Sequence, residues 1–297
     1  MDLSIGGVRI RIRDEGAWSF ARDDPHAGFV VEGMGQPDLD IQVRHGPAPA
    51  LPDTPPVYST EGGLWNLYRD AQGLVFTLGA PAEGGALHRV ARVDSEVRCG
   101  EVLLTPAGDH PGFHPYPLRY PLDELLVINY LARGHGCVLH ACGVRVERDA
   151  PEGWLFVGTS GAGKSTLSAI WREQPGVEVL SDDRVIIRPT ENGFRIHGTP
   201  WHGDARVSSR ESAPLSRIYL LAHGLTNQTI LAPPLEALEG LLLNAFAPYY
   251  DKEGMEWTLD LLSHLTARVP VERFEFLPDR SAVEYLVHQK RRPEGST

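Results

Sequence analysis

The amino-acid sequence predicts a mixed α/β (α+β) protein, with a β-rich N-terminal domain over residues 1–115 and an α/β domain over 116–297 built around a phosphate-binding loop. Three observations carry this expectation. The first 115 residues hold short alternating or apolar runs, broken at short intervals by Gly, Pro, Asp and Asn, which is the texture of strands and turns. From about residue 120 onward, segments of helical periodicity alternate with strand-like runs. A glycine-rich octapeptide then joins an apolar run to a helical one near the middle of the chain.

In the first half the runs are Val8–Ile12, Phe29–Val31, Leu39–Val43, Leu64–Tyr68, Leu74–Leu78, Val90–Val93 and Val102–Thr105. The proline-rich segment Gly46–Val57 is a loop. Pro111, Pro115, Pro117 and Pro121, with several aromatics, make Asp109–Pro121 an extended crossing and a domain boundary. After it, Pro121 opens a helix that sets Leu122, Leu125, Leu126 and Leu131 close to one face. Strands are expected at Cys137–Val146 and Trp154–Val157, then a helix from Lys164 to Trp171 and a strand at Val177–Leu180. Val185–Arg188 and Phe194–His197 read as a hairpin around Asn192-Gly193. Ile218–Ala222 is a further strand, Leu235–Tyr249 and Trp257–Thr266 are amphipathic helices, and a strand at Arg273–Leu277 and a helix at Arg280–Lys290 close the chain.

Composition removes several classes of function. The chain has 297 residues, room for one large domain or two modest ones, and its 42% hydrophobic and 23% charged content is that of an ordinary globular protein. A net charge of −11 argues against gripping nucleic acid or an anionic membrane. No apolar run approaches about 18 residues, and the N-terminus lacks the basic and apolar regions of a secretory signal. Three cysteines, Cys99, Cys137 and Cys142, do not make a disulfide scaffold and suit a reducing, cytoplasmic setting. Cys137 and Cys142 lie near His135 and His140, but no second Cys/His pair stands at zinc-finger spacing. Lysine occurs only at 164, 252 and 290, and one of these falls inside the motif that follows.

Gly158-Thr159-Ser160-Gly161-Ala162-Gly163-Lys164-Ser165 matches the phosphate-loop pattern G-x-x-x-x-G-K-[ST] at every position, and Thr166 continues into the helix. Glycines let successive backbone N–H groups turn toward one anion, and the helix N-terminus adds its partial positive charge. Lys164 reaches the β- and γ-phosphates, and the Ser165 hydroxyl ligates Mg²⁺. A ligand-free turn of the same shape has no need of Lys followed by Ser. ATP with Mg²⁺ is therefore the expected nucleotide and metal.

Asp182 and Asp183 follow Lys164 by 18 and 19 residues, after one helix and one short strand. Adjacent carboxylates at a strand end point to opposite sides. One can face a metal or a substrate hydroxyl while the other holds a neighbour, and a carboxylate near the γ-phosphate is a credible proton acceptor. Ser-Asp-Asp is also good turn and cap chemistry.

Leu139-His140-Ala141-Cys142-Gly143-Val144, a short hairpin, the phosphate loop and Ser181-Asp182-Asp183-Arg184 follow one another over this stretch. The order resembles the kinase domain of the HPr kinase/phosphorylase family and its HprK-related kinases, which belong with the phosphoenolpyruvate carboxykinase-like P-loop proteins. The resemblance spans roughly residues 120–290. It implies that His140 is an active-site histidine, that Lys164 and Ser165 hold phosphate and Mg²⁺, and that Asp182 accepts the proton of a substrate serine, with Asp183 beside it as a catalytic or metal-binding carboxylate. The family's second metal-binding Glu is missing from Arg195–Asp204, where His197, His202 and Asp204 are candidate replacements. Arg206 and Arg210 are candidates for the family's later catalytic Arg. The β-rich first half differs from the family's usual N-terminal domain.

These readings converge on an ATP-dependent serine kinase, a phosphotransferase acting on a peptide or small protein with an exposed Ser. The resemblance allows a lasso-peptide precursor as acceptor. The acceptor would enter a cleft over the phosphate loop lined by Trp201, His202 and the proline-rich crossing. Partners are then a peptide substrate, no nucleic acid and no membrane, with homo-oligomers left open. The alternatives are a nucleotide-binding regulatory module with little catalysis, and a small-molecule or carboxykinase-like enzyme.

Overall fold

The computed structural model describes residues 1–16, 18–79, 87–105 and 116–288. It is a mixed α/β protein whose chain divides into two compact units, residues 1–135 with 247–257, and residues 136–246 with 258–297.

The first unit carries β1 (Asp2–Ile5), β2 (Val8–Arg13), β3 (Leu39–His45), β4 (Tyr58–Ser59), β5 (Trp65–Asp70), β6 (Gly73–Gly79), β7 (Leu87–Val93) and β8 (Cys99–Leu104). They form one sheet in the order β1-β2-β3-β8-β7-β6-β5-β4, antiparallel except where β3 runs parallel to β2 and β8. The period of two is visible in β2: Val8, Ile10 and Ile12 are buried, while Arg9, Arg11 and Arg13 turn out to pair with Asp38, Asp2 and Asp40. The strand expected at Phe29–Val31 is instead a 3₁₀ turn, Pro25–Phe29, followed by a single bridge from Val30 to Leu3. Asp24 caps that turn by accepting from the His26 N–H, and Pro25 opens it, so local capping outweighs the short apolar run.

Helix α1 (Leu122–Leu131) begins where expected, but all ten of its residues are buried and no polar face is left. Its polar members have partners inside the unit. Asp123 Oδ2 stands 2.7 Å from His26 Nε2, and Asn129 Nδ2 donates to Leu125 O and Tyr250 Oη. The crossing expected at 109–121 lies mostly outside the described residues.

The second unit carries β9 (Cys137–Val146), β10 (Glu152–Val157), α2 (Lys164–Arg172), β11 (Val177–Ser181), β12 (Arg184–Thr190), β13 (Gly193–His197), β14 (Ser212–His223), β15 (Gln228–Leu231), α3 (Pro234–Leu242), β16 (Val271–Phe276) and α5 (Arg280–His288); α4 (Lys252–Arg268) starts in the first unit's segment and ends here. β10 is central: it pairs antiparallel with β9 and parallel with β14, and every one of its residues is buried. Its pairings close a ring, β9-β12-β13-β14-β10, and the sheet runs on from β14 to β16 and β15. Trp154, Phe156, Tyr219, Phe274 and Phe276 from the strands pack with Leu167 and Trp171 of α2 and with Ala282, Val283 and Leu286 of α5.

The helix expected over Leu235–Tyr249 stops at Leu242. The chain then runs beside β9, with Asn244 O accepting from the His140 N–H (2.8 Å) and Phe246 N–H donating to Val138 O (2.9 Å). Pairing with an open strand edge competes there with helical continuation and steadies the backbone around His140. Among the described residues, no helix is long and apolar enough to cross a membrane.

Candidate active site

The site grows from the C-terminal end of β10. After Val157 the chain turns through Gly158–Gly163 and enters α2 at Lys164. Gly161 and Gly163 have φ of +82° and +96°. At Gly163 a Cβ would also stand 2.7 Å from the Phe276 ring, so both conformation and space require glycine. No side chain caps α2, and Ser165 and Thr166 are exposed in its first turn, which leaves the N–H groups there open to an anion.

Lys164 is buried, and its Nζ donates to Gly158 O (2.5 Å) and Thr159 O (3.1 Å). Burial pulls its pKa below the usual lysine value. Its ammonium thus sits within the loop, held by two of the loop's own carbonyls.

His140 projects from β9 with its Nε2 2.9 Å from Asp183 Oδ1. Burial first, then the charges of Lys164 and Arg184, push this imidazole down to about 4, so it is neutral near pH 7. A neutral ring can donate from Nε2 to the carboxylate. The Arg184 guanidinium pairs with Asp183 Oδ2 and lies 4.8 Å over the Phe246 ring. Two residues along β9, the buried Cys142 thiol is pushed up to about 12, by burial and then by the charge of Asp182, with Lys164 pulling the other way. Lys164, His140, Cys142 and the paired aspartates therefore share one electrostatic neighbourhood.

The two aspartates form the bend between β11 and β12, where the Ser181 Oγ accepts from the N–H groups of Asp183 and Arg184, and their side chains diverge. Asp183 faces His140 and its side chain is 17% exposed. Asp182 is 2% exposed and turns the other way. Its Oδ1 accepts from the N–H of Gly203 (3.0 Å) and Val207 (3.4 Å), and its Oδ2 from that of Ala205 (2.9 Å). Both aspartates hold neighbours: Asp183 holds His140 and Arg184, and Asp182 holds the backbone of the loop.

The remaining candidates are scattered. His197 lies in β13, pushed down to about 4 by burial, Arg188 and Arg195. His202 Nδ1 is 3.0 Å from Gly203 O, and Asp204, Arg206 and Arg210 are exposed. Trp201 does not line an open cleft, because packing leaves it only 4% exposed. A cleft of about 410 Å³ lies elsewhere, between Glu147–Asp149, Gln174–Val177 and Val287, and holds none of the expected site residues. One contact had no signal in the sequence: His223, at the end of β14, places Nε2 3.1 Å from Gly161 O. Only the parallel pairing of β14 with β10 brings it there.

The donor set suits ATP with Mg²⁺. The loop has positive-φ glycines, open first-turn amides and a lysine already within it, and the Ser165 hydroxyl is exposed. Among the described residues, no group of three or more His, Cys, Asp or Glu could hold a metal by itself. Mg²⁺ commonly binds through one or two protein ligands with waters and substrate phosphates, so the exposed Ser165 hydroxyl is chemically suited to be one such ligand. Comparison with models of known protein families and with curated proteins found no match.

Proposed function

We propose that the protein is an ATP-dependent kinase of the HPr kinase-like type, with a phosphoenolpyruvate carboxykinase-like P-loop domain, that transfers the γ-phosphoryl group to a Ser hydroxyl of a peptide or small protein. One observation carries the reading. A complete phosphate loop leaves the central strand β10, and the His140–Asp183 pair stands on the neighbouring elements within the electrostatic reach of Lys164.

The chain's own groups have distinct tasks in this scheme. The amides of Gly161–Ser165 and the N-terminus of α2 bind the phosphates. Lys164 exchanges the carbonyls of Gly158 and Thr159 for phosphate oxygens. The Ser165 hydroxyl would hold Mg²⁺, which would supply charge neutralisation on the phosphates. Asp183, oriented by neutral His140 and by Arg184, accepts the proton of the acceptor hydroxyl at a carboxylate oxygen. Two features support a peptide acceptor. The net charge of −11 disfavours nucleic acid, and the first unit's sheet ends at one side on the short, exposed β4, an edge that can accept an added strand.

The test is calorimetric titration of Mg²⁺–ATP into the wild type and Lys164→Ala, followed by incubation with Ser-containing peptides. Lys164→Ala should weaken ATP binding at least about 100-fold, because a charge-assisted phosphate contact is lost, while the melting temperature stays close to that of the wild type. Equal affinity in the two proteins would sink the proposal. Phosphate appearing on free serine or a sugar, with none on peptides, would leave a kinase but overturn the substrate class.

A further inference from the structure

Asp182 is among the most deeply buried carboxylates of the second unit, at 2% exposure. A charge so buried needs dedicated partners. It has three, the backbone N–H groups of Gly203, Ala205 and Val207, all from one stretch of loop and none from a helix or strand. The rest of that loop is fastened to the same strand end. Thr199 Oγ1 donates to Arg184 O (2.7 Å), Ser208 bridges Ser181, Ser209 N–H donates to Leu180 O (3.0 Å), and Ser209 Oγ donates to Glu178 Oε1 (2.6 Å). Val207 packs against the core cluster that contains Leu167 and Trp171. At Gly203 a Cβ would stand 3.0 Å from Asp182 Oδ2 and 3.1 Å from Asp183 Cβ, so the loop backbone lies against both aspartates.

We infer that Asp182 is a positioning residue: its carboxylate clasps the loop 199–208 onto the end of β11, and the clasped loop holds Asp183 toward His140, so that the substrate proton passes to Asp183 rather than to Asp182. Both oxygens of Asp182 already accept from loop amides, so this carboxylate is committed to the loop. Asp183 has no such duty, and it is the more exposed of the two. The catalytic half of this inference rests on the kinase reading; the clasp does not.

The experiment compares the wild type, Asp182→Asn, Asp183→Asn and the double variant, using amide hydrogen exchange and Mg²⁺–ATP turnover with water as acceptor. Asparagine at 182 keeps one acceptor oxygen and sets an NH₂ group against the loop donors. In the wild type the amides of 203, 205 and 207 should exchange at least about 100-fold more slowly than open chain. Asp182→Asn should speed them at least about tenfold, and Asp183→Asn should leave them unchanged. Turnover should fall about tenfold in Asp182→Asn and about 10² or more in Asp183→Asn. The double variant should be no slower than Asp183→Asn, because Asp182 acts through Asp183. Unchanged loop exchange in Asp182→Asn overturns the clasp, and a double variant slower than Asp183→Asn by the full tenfold overturns the route through Asp183. Should Asp182→Asn fail to fold, the wild type decides, since unprotected amides at 203, 205 and 207 are incompatible with the clasp. Should the wild type not turn over Mg²⁺–ATP with water, the same four proteins are compared with a Ser-containing peptide as acceptor; no turnover with either acceptor sinks the kinase reading and the route through Asp183, while the exchange data still judge the clasp.

Discussion

Two residues that bear on the candidate site, Gly163 and Arg206, have left-handed backbones. Gly163 combines φ +96° with a ring carbon 2.7 Å from where a Cβ would stand. Gly163→Ala must pay both a left-handed backbone and a displaced Phe276, a cost of about 1–3 kcal/mol. The expected outcome is a lower melting temperature together with lost Mg²⁺–ATP binding, read by thermal melts and calorimetry. Retained binding at wild-type affinity would mean that the loop does not hold phosphate in this shape. Arg206 sits at φ +51°, an uncommon conformation for a residue with a long side chain, and its side chain is exposed. Arg206→Gly and Arg206→Ala both remove the guanidinium, but only Gly relieves the backbone. The Gly variant should be more stable than the Ala variant by about 1 kcal/mol. Any loss of turnover common to both then measures the guanidinium alone. Equal melting of the two variants would refute the strain.

Elements are tied together by a few buried polar contacts, and one of them is an imidazole held above its ordinary pKa. His26, in the 3₁₀ turn, places Nε2 2.7 Å from Asp123 Oδ2 of α1 and Nδ1 3.0 Å from Asp24 Oδ1. Burial alone would lower the His26 pKa, but hydrogen bonds and charge from Asp123, then from Asp24, outweigh it and hold the imidazole above its ordinary value. Phe20 stacks on the ring and Tyr116 packs against it at a tilt. A histidine whose folded pKa is raised adds stability that is fully present below its unfolded pKa, about 6.5, and that is lost as pH rises through the folded value. Hydrogen exchange of α1 should therefore quicken from pH 6 to pH 8 beyond its intrinsic rate change, and His26→Gln should remove that extra dependence. An α1 whose protection has the same pH dependence in both proteins would show that the contact does not couple the turn to the helix. His197, pushed down to about 4, has the opposite sign: its contribution is present above about 6.5 and is lost as pH falls toward 4.

At the scale of the whole molecule, the chain leaves the first unit at residue 135 and returns to it over 247–257. Asp251 receives Arg133 and Arg69 there, and Tyr250 receives Asn129. A fragment starting near Leu118 would retain α1 but lose the sheet of the first unit and the His26 and Arg69 partners. Helix α1, with every residue buried in the intact chain, should then exchange at near-open rates while β10 stays protected. Slow exchange throughout α1 in that fragment would mean that the helix does not depend on the first unit's strands.

Much of the architecture was legible as pattern. Alternating runs foretold β2, β3, β5, β6, β7 and β8, and the octapeptide at 158–165 marked the strand-to-helix turn, because turn chemistry and periodicity are local properties. Ser181-Asp182-Asp183 was also legible as turn chemistry, and it forms the bend between β11 and β12 with Ser181 Oγ accepting from two backbone amides. Which of the two would face His140 was a tertiary decision, made by the loop whose amides at Gly203, Ala205 and Val207 converge on Asp182 from more than twenty residues downstream. His223 reached the phosphate loop only because β14 pairs parallel with β10, and α3 ended early only because the chain after it could pair with β9. Local sequence sets what each segment can form on its own; long-range pairing sets which side chains share a site, because hydrogen-bond partners distant in sequence leave no periodic trace in either segment.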